Sequence, residues 1–242
     1  MTRILLLGGT TEASRMARAI ADLGMDAVFS YAGRTEAPLP QPLPMRVGGF
    51  GGADGLADWL RTERISHVVD ATHPFAAQMS RNAIAACAAT GVALAGLERA
   101  PWAPGPGDDW HPVRDMAGAV AALPESGARV FLAIGKLHLA DFAARPGNHY
   151  LLRLVDPPGE LPLPDCSTVV ARGPFDHAGD LALLRDHRIS HVVAKNAGGS
   201  GAEAKLLAAR DLGLPVILID RPTLPPRQVF AEIPQVLSWL GR

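Results

Sequence analysis

The chain has 242 residues, 48% of them apolar, and sets 23 Lys and Arg against 24 Asp and Glu for a net charge of −1. With no global basic field, nucleic acid is a disfavoured partner, and any anion must be held by locally placed cations. Two cysteines, Cys87 and Cys166, are too few for a disulfide framework or a metal cluster, and no apolar stretch approaches membrane-spanning length.

In chain order, MTRILLLGGT enters a strand at once. Ile4–Leu7 is a short, unalternating apolar run of the kind buried on both faces of a parallel sheet. No leader-like run or cleavage site accompanies it, so a cytoplasmic protein is expected. The strand runs into GGTTEAS (Gly8–Ser14) and then a helix. Glycines let a backbone come close to a ligand, and the N–H groups of a helix N-terminus attract phosphate. Gly8, Gly9, Thr10, Thr11 and Ser14 are therefore candidate contacts to a dinucleotide, although the stretch is not GxGxxG and a capped tight turn reads the same. Ala13, Met16, Ala17, Ile20 and Leu23 recur at helical spacing, with Gly24 as a C-terminal cap. The second strand, Ala27–Tyr31, ends in AGR. An acidic residue near this point favours NAD, whereas arginine accommodates the extra phosphate of NADP, so Arg34 points to NADPH. GGFGG (Gly48–Gly52) reads as a structural turn.

The hexapeptide RISHVV stands at Arg64–Val69 and, 124 residues later, at Arg188–Val193. The match extends beyond six letters. GGFGGADGLADWLRTE aligns over RGPFDHAGDLALLRDH, and GVALAGLERAP over GLPVILIDRPT with the offset shortened by two. RILLLGGT resembles RVFLAIGK, and each half closes alike from Trp110 and from Gln228. So long a period means a duplicated domain. Strands alternating with helices then predict an α/β fold: two similar Rossmann- or flavodoxin-like domains with parallel sheets, divided as 1–124 (dinucleotide binding) and 125–242 (substrate binding). The strands near Trp110 and Gln228 can pair with either sheet, so strand exchange between the halves is open.

Ligands in such sheets lie beyond the carboxyl ends of the strands. The first RISHVV runs into DATHPFAA, which places Asp70, Thr72 and His73 there, with Pro74 suited to a helix start and a helix from Ala76 to Thr90. His73 or Asp70 could orient a nicotinamide or deliver a proton; equally, Asp70 or Thr72 could cap the next helix. The second RISHVV runs into AKNAGGSGAEAK, a glycine-rich loop with Lys195, Gly198, Gly199 and Lys205. Lys136, Arg153, Arg172 and Arg221 fall at comparable strand ends, and a row of cations along one edge suggests a pocket for a polyanion. Arg99, the counterpart of Arg221, could hold a carboxylate or a phosphate. His67 and His191 read as strand residues, and no HExxH, CxxC or GxSxG motif appears, so neither a metal centre nor a hydrolase elbow is expected.

ILLLGGTTEASRMARAI, YAGR, DATHPFAA, ERAPW, ARGPF and AKNAGG…EAKLLAARDLGLPVILIDRP, in this order, resemble the precorrin-6A reductases of cobalamin biosynthesis. The resemblance implies reduction of one double bond of a tetrapyrrole macrocycle with hydride from NADPH, in a monomer whose substrate lies between two similar domains. A macrocycle fringed with carboxylates would give the cations of the second half a purpose. The family's last glycine-rich motif often reads Lys-x-Ser-Gly; here it is Lys195-Asn196-Ala197-Gly198, without the hydroxyl. Two other readings stand beside this one: a cobalt-precorrin-6A reductase using NADH, and a non-catalytic nucleotide-binding or sugar-nucleotide-sensing protein.

Overall fold

The structure, a computed structural model, describes residues 2–33 and 38–241. The first stretch comprises β1 (Arg3–Leu7), α1 (Thr11–Asp22), β2 (Asp26–Tyr31), β3 (Met45–Val47), α2 (Gly52–Thr62), β4 (His67–Asp70), α3 (Ala77–Thr90) and β5 (Ala93–Leu97). Next come β6 (Trp110–Val113), α4 (Met116–Ala122), β7 (Ser126–Ala133), a 3-10 segment (Lys136–Ala144), β8 (Gly147–Leu154) and β9 (Cys166–Val170). The chain ends with α5 (His177–Asp186), β10 (His191–Lys195), α6 (Ala204–Asp211), β11 (Val216–Ile219), β12 (Gln228–Phe230) and α7 (Ile233–Trp239).

The repeated hexapeptide is a helix stop joined to a strand start. After α2 and α5 the chain turns through Arg64 and Arg188, at φ 54° and 52°. In each copy the next N–H reaches back to close the helix: Ile65 to Leu60 O and Ile189 to Leu184 O, both at 2.9 Å. The serine then sets the register, because Ser66 Oγ accepts the Arg3 N–H and Ser190 Oγ accepts the Arg129 N–H, each at 3.0 Å. His67 and His191 follow at the amino ends of their strands, each with Nδ1 2.9 Å from that hydroxyl. Burial lowers the pKa of both below the ordinary 6.5.

Among the described residues, all pairings are parallel and form two sheets, in the orders β12-β5-β4-β1-β2-β3 and β6-β11-β10-β7-β8-β9. Strand exchange is therefore real: β6 pairs with β11, and β12 pairs with β5. A division at 124/125 describes the sequence repeat, whereas the compact units are residues 1–100 with 223–242, and residues 101–222. The two divisions differ because each half gives its trailing strand and helix to the other half's sheet.

Both faces of the first sheet are covered. Ile4 and Leu6 pack with Met16, Ile20 and Phe29 and with Val236 and Leu240 of the C-terminal tail. Leu5 and Leu7 face Leu56, Leu60, Ala83 and Cys87 on the other side. This two-sided burial is why β1 shows no alternation. In the second unit Phe131, Leu151, Val192, Ala194 and Leu218 pack with Leu184, Leu206 and Trp102. No helix among the described residues is long and apolar enough to cross a membrane.

Burial, with the nearby Asp70 charge, pushes the Cys87 thiol up from 9.0 to about 12. The folded state thus holds this proton more tightly than the unfolded chain. The stability it contributes is full below pH 9 and is lost as pH rises toward 12. Treatment of the native protein with iodoacetamide near pH 9 is expected to leave Cys87 unlabelled by mass spectrometry, with labelling restored in denaturant. Rapid native labelling would contradict this burial.

Candidate functional site

In the first sheet the strand order reverses about β1, which lies between β4 and β2. A reversal opens a crevice at the carboxyl ends of the central strands. Gly8 leaves β1 there, donating to Ser30 O at 3.0 Å. A Cβ on Gly8 would lie 2.0 Å from Phe29 Cζ, so only glycine lets the turn run this low over the sheet. Thr10 then caps α1, its Oγ1 accepting the Ala13 N–H at 3.1 Å and donating to Ala71 O at 2.8 Å. One hydroxyl thereby starts the helix and joins the ends of β1 and β4. Thr11 is exposed on the first turn of α1. Ser14 Oγ accepts from Gln41, whose amide also donates to the Tyr31 hydroxyl, so Ser14 ties the helix to the end of β2. Arg34 lies outside the described residues.

A small, shallow cleft opens here, lined by Thr10, Glu12, Thr72, Pro74, Leu97, Glu98 and Arg99. Leu97 ends β5, and the others follow β1, β4 and β5. Arg99 pairs with Glu12, so the carboxylate in the first turn of α1 is neutralised where phosphate would approach. Arg99 lines the same cleft as Thr10 and Thr72.

Asp70 is 1% exposed. Its Oδ1 accepts the Thr72 N–H at 3.1 Å and the Thr72 hydroxyl at 2.7 Å, and its Oδ2 accepts from Arg227 at 2.7 Å. Asp70 thus holds the turn that carries Thr72, and neither it nor Thr72 caps α3, whose N-cap residue Ala76 has no side-chain cap. Pro74 opens the preceding turn and not the helix itself. His73 Nδ1 accepts the Phe75 N–H at 3.2 Å, which places the proton of a neutral ring on Nε2.

The second unit repeats the crevice, with β7 between β10 and β8. Lys195 Nζ donates to Ile134 O at 2.7 Å, joining the ends of β10 and β7 as Thr10 joins those of β1 and β4. Arg221 donates to the carbonyls of Asn196 and Ala197, both at 3.0 Å, and Lys136 to Pro157 O at 3.2 Å. Gly198 and Gly199 form the turn above β10, and Arg172 is exposed just beyond β9.

Two of the expected cations are placed otherwise. Arg153 is turned inward and paired with Asp180, with its guanidinium 3.6 Å over the Phe175 ring. Lys205 is buried, bonded to Ala202 O and 4.9 Å over the Trp102 ring. In both cases the packed face of an element takes the charge inside, where a partner or an aromatic ring receives it. Sequence reasoning missed Glu12, Arg227 and Asp180. A lone acidic residue in a helix turn, or an arginine in a proline-rich stretch, carries no periodic signal. Among the described residues, no group of three metal-ligating side chains could hold a metal ion.

Two parallel α/β units, each with a glycine turn above the reversal point of its sheet, define a two-domain protein of Rossmann-like class. The chain belongs to the family described as Precorrin-6x reductase CbiJ/CobK, whose model matches residues 3–241. It is 68% identical over 242 residues to the precorrin-6A reductase of Rhodobacter capsulatus, covering 100% of this chain and 96% of that one. It is 46% identical to the precorrin-6A reductase of Rhodococcus erythropolis over 243 residues, covering 100% and 98%. The solved structure of CobK precorrin-6A reductase superposes with a TM-score of 0.97 at 67% identity, covering 100% of this chain and 96% of that one.

Proposed function

We propose that this protein is an NADPH-dependent precorrin-6A reductase, and that it works as a cytoplasmic monomer. The reading is carried by the full-length match to precorrin-6A reductases. The residues of the first crevice fit a dinucleotide: a glycine turn without room for a side chain, the N–H groups that open α1, and a first-turn carboxylate already neutralised by Arg99. When bound, NADPH supplies the hydride. Gly8, Gly9, Thr10 and Thr11 hold its phosphates, Thr72 and Arg99 line the same cleft, and Arg34 holds the 2′-phosphate. His73 is the candidate proton donor, through Nε2. Asp70 acts by fixing Thr72. In the second unit Lys136, Arg172, Lys195 and Arg221, with the Gly198–Gly199 turn, receive the carboxylates of the macrocycle. Hydride and proton together saturate one double bond, so catalysis rests largely on positioning.

The test is an anaerobic assay with precorrin-6A and either NADPH or NADH, following cofactor oxidation and the pigment spectrum together. Coupled changes are expected, faster with NADPH, and Arg34→Ala should reduce the preference by roughly tenfold, about 1.4 kcal/mol. Equal turnover with NADH keeps the reaction and removes that role from Arg34. Nucleotide binding without oxidation would instead support a non-catalytic protein.

A further inference from the structure

The exchanged tails reach the loops above both sheets. The segment leading to β6 lays Trp102 against the loop after β10: Asn196 accepts the Trp102 N–H at 2.8 Å and donates to Trp102 O at 3.1 Å, and Trp102 Nε1 donates to Gly199 O at 2.9 Å. The segment leading to β12 does the same to the other sheet through one side chain. Arg227, 6% exposed, donates to Asp70 at the end of β4 and to Glu98 just beyond β5. Its guanidinium passes over Gly96 of β5, where a Cβ would come within 3.1 Å of Nε. Arg81, on α3, anchors the start of this segment through Thr223 O at 3.0 Å.

We infer that Arg227 is a positioning residue for the nucleotide cleft, holding Thr72 through Asp70 and Glu98 directly. Thr72, Glu98 and Arg99 all line that cleft, and one planar fork fixes the two strand ends from which they extend. The C-terminal tail thus completes a site that the sequence repeat assigns wholly to the N-terminal half. The inference rests on the dinucleotide reading of the cleft.

The test measures NADPH affinity by fluorescence titration, with thermal unfolding alongside. Arg227→Met combined with Asp70→Leu replaces the buried pair with apolar side chains and is expected to unfold near the wild-type temperature. Its NADPH dissociation constant is expected to rise roughly tenfold, because Thr72 loses its anchor. Thr72→Val should weaken binding severalfold alone and add little in the double variant, since both act along one chain of contacts. Wild-type affinity in the double variant, or an undiminished Thr72→Val effect within it, overturns the inference. Should the double variant not fold, Arg227→Lys serves: its ammonium lacks the planar fork that gives Asp70 and Glu98 a nitrogen each, the same weakening is expected, and unchanged affinity overturns the inference. Failure of the wild-type protein to bind NADPH overturns the dinucleotide reading as well, and so differs from failure of this inference alone.

Discussion

Replacing Arg153 with alanine should destabilise the protein by about 3–5 kcal/mol, a loss set by what is left behind. The Arg153 and Asp180 side chains are 9% and 3% exposed, so the variant strands a carboxylate inside the second unit. The guanidinium also fills the space between the Phe175 and Phe131 rings, 3.6 Å and 5.1 Å from their centroids, and that packing goes with it. Arg153→Met with Asp180→Leu removes both charges at similar volume and is expected to regain most of the stability. Denaturant unfolding of the two variants checks this. Unchanged stability of Arg153→Ala, with a raised KM for the tetrapyrrole, would return Arg153 to the substrate role its place at a strand end suggested.

Replacing Gly8 with alanine is expected to cost about 1–3 kcal/mol and to abolish measurable nucleotide binding. The added Cβ would meet Phe29 Cζ at 2.0 Å and Cε1 at 2.2 Å. Phe29 is fully buried against β1 and α1 and cannot swing away, so the backbone of the turn must rise. A raised turn displaces Thr10, and with it the cap of α1 and the bond to Ala71 O. Trimming the obstacle should relieve the clash. Phe29→Leu costs stability by itself but is expected to cost less in the Gly8→Ala background, a coupling readable from melting temperatures. Strict additivity would mean that the ring is not what excludes a side chain at residue 8.

The sequence by itself determined whatever repeats or keeps a local period. Two RISHVV copies recur because a helix stop, a register-setting serine and a buried strand are built from adjacent residues. The apolar run of β1, the glycine turn after it and the helix ending at Gly91 are local in the same sense, and Thr10, Thr72 and Arg99 could be placed at strand ends by counting along the chain. Only the tertiary structure decided which sheet took β6 and β12, since either edge offers a short parallel strand the same hydrogen bonds. Charge shows the same limit. Lys195 and Arg153 both read as cations at strand ends, yet one joins two strands above the sheet while the other is folded inward onto Asp180. Arg227 reaches Asp70 across 157 residues of chain, a partnership between side chains that become neighbours only when the last strand adds to the first sheet. A buried charge is satisfied by whatever packing brings near it, and packing is a property of the whole fold.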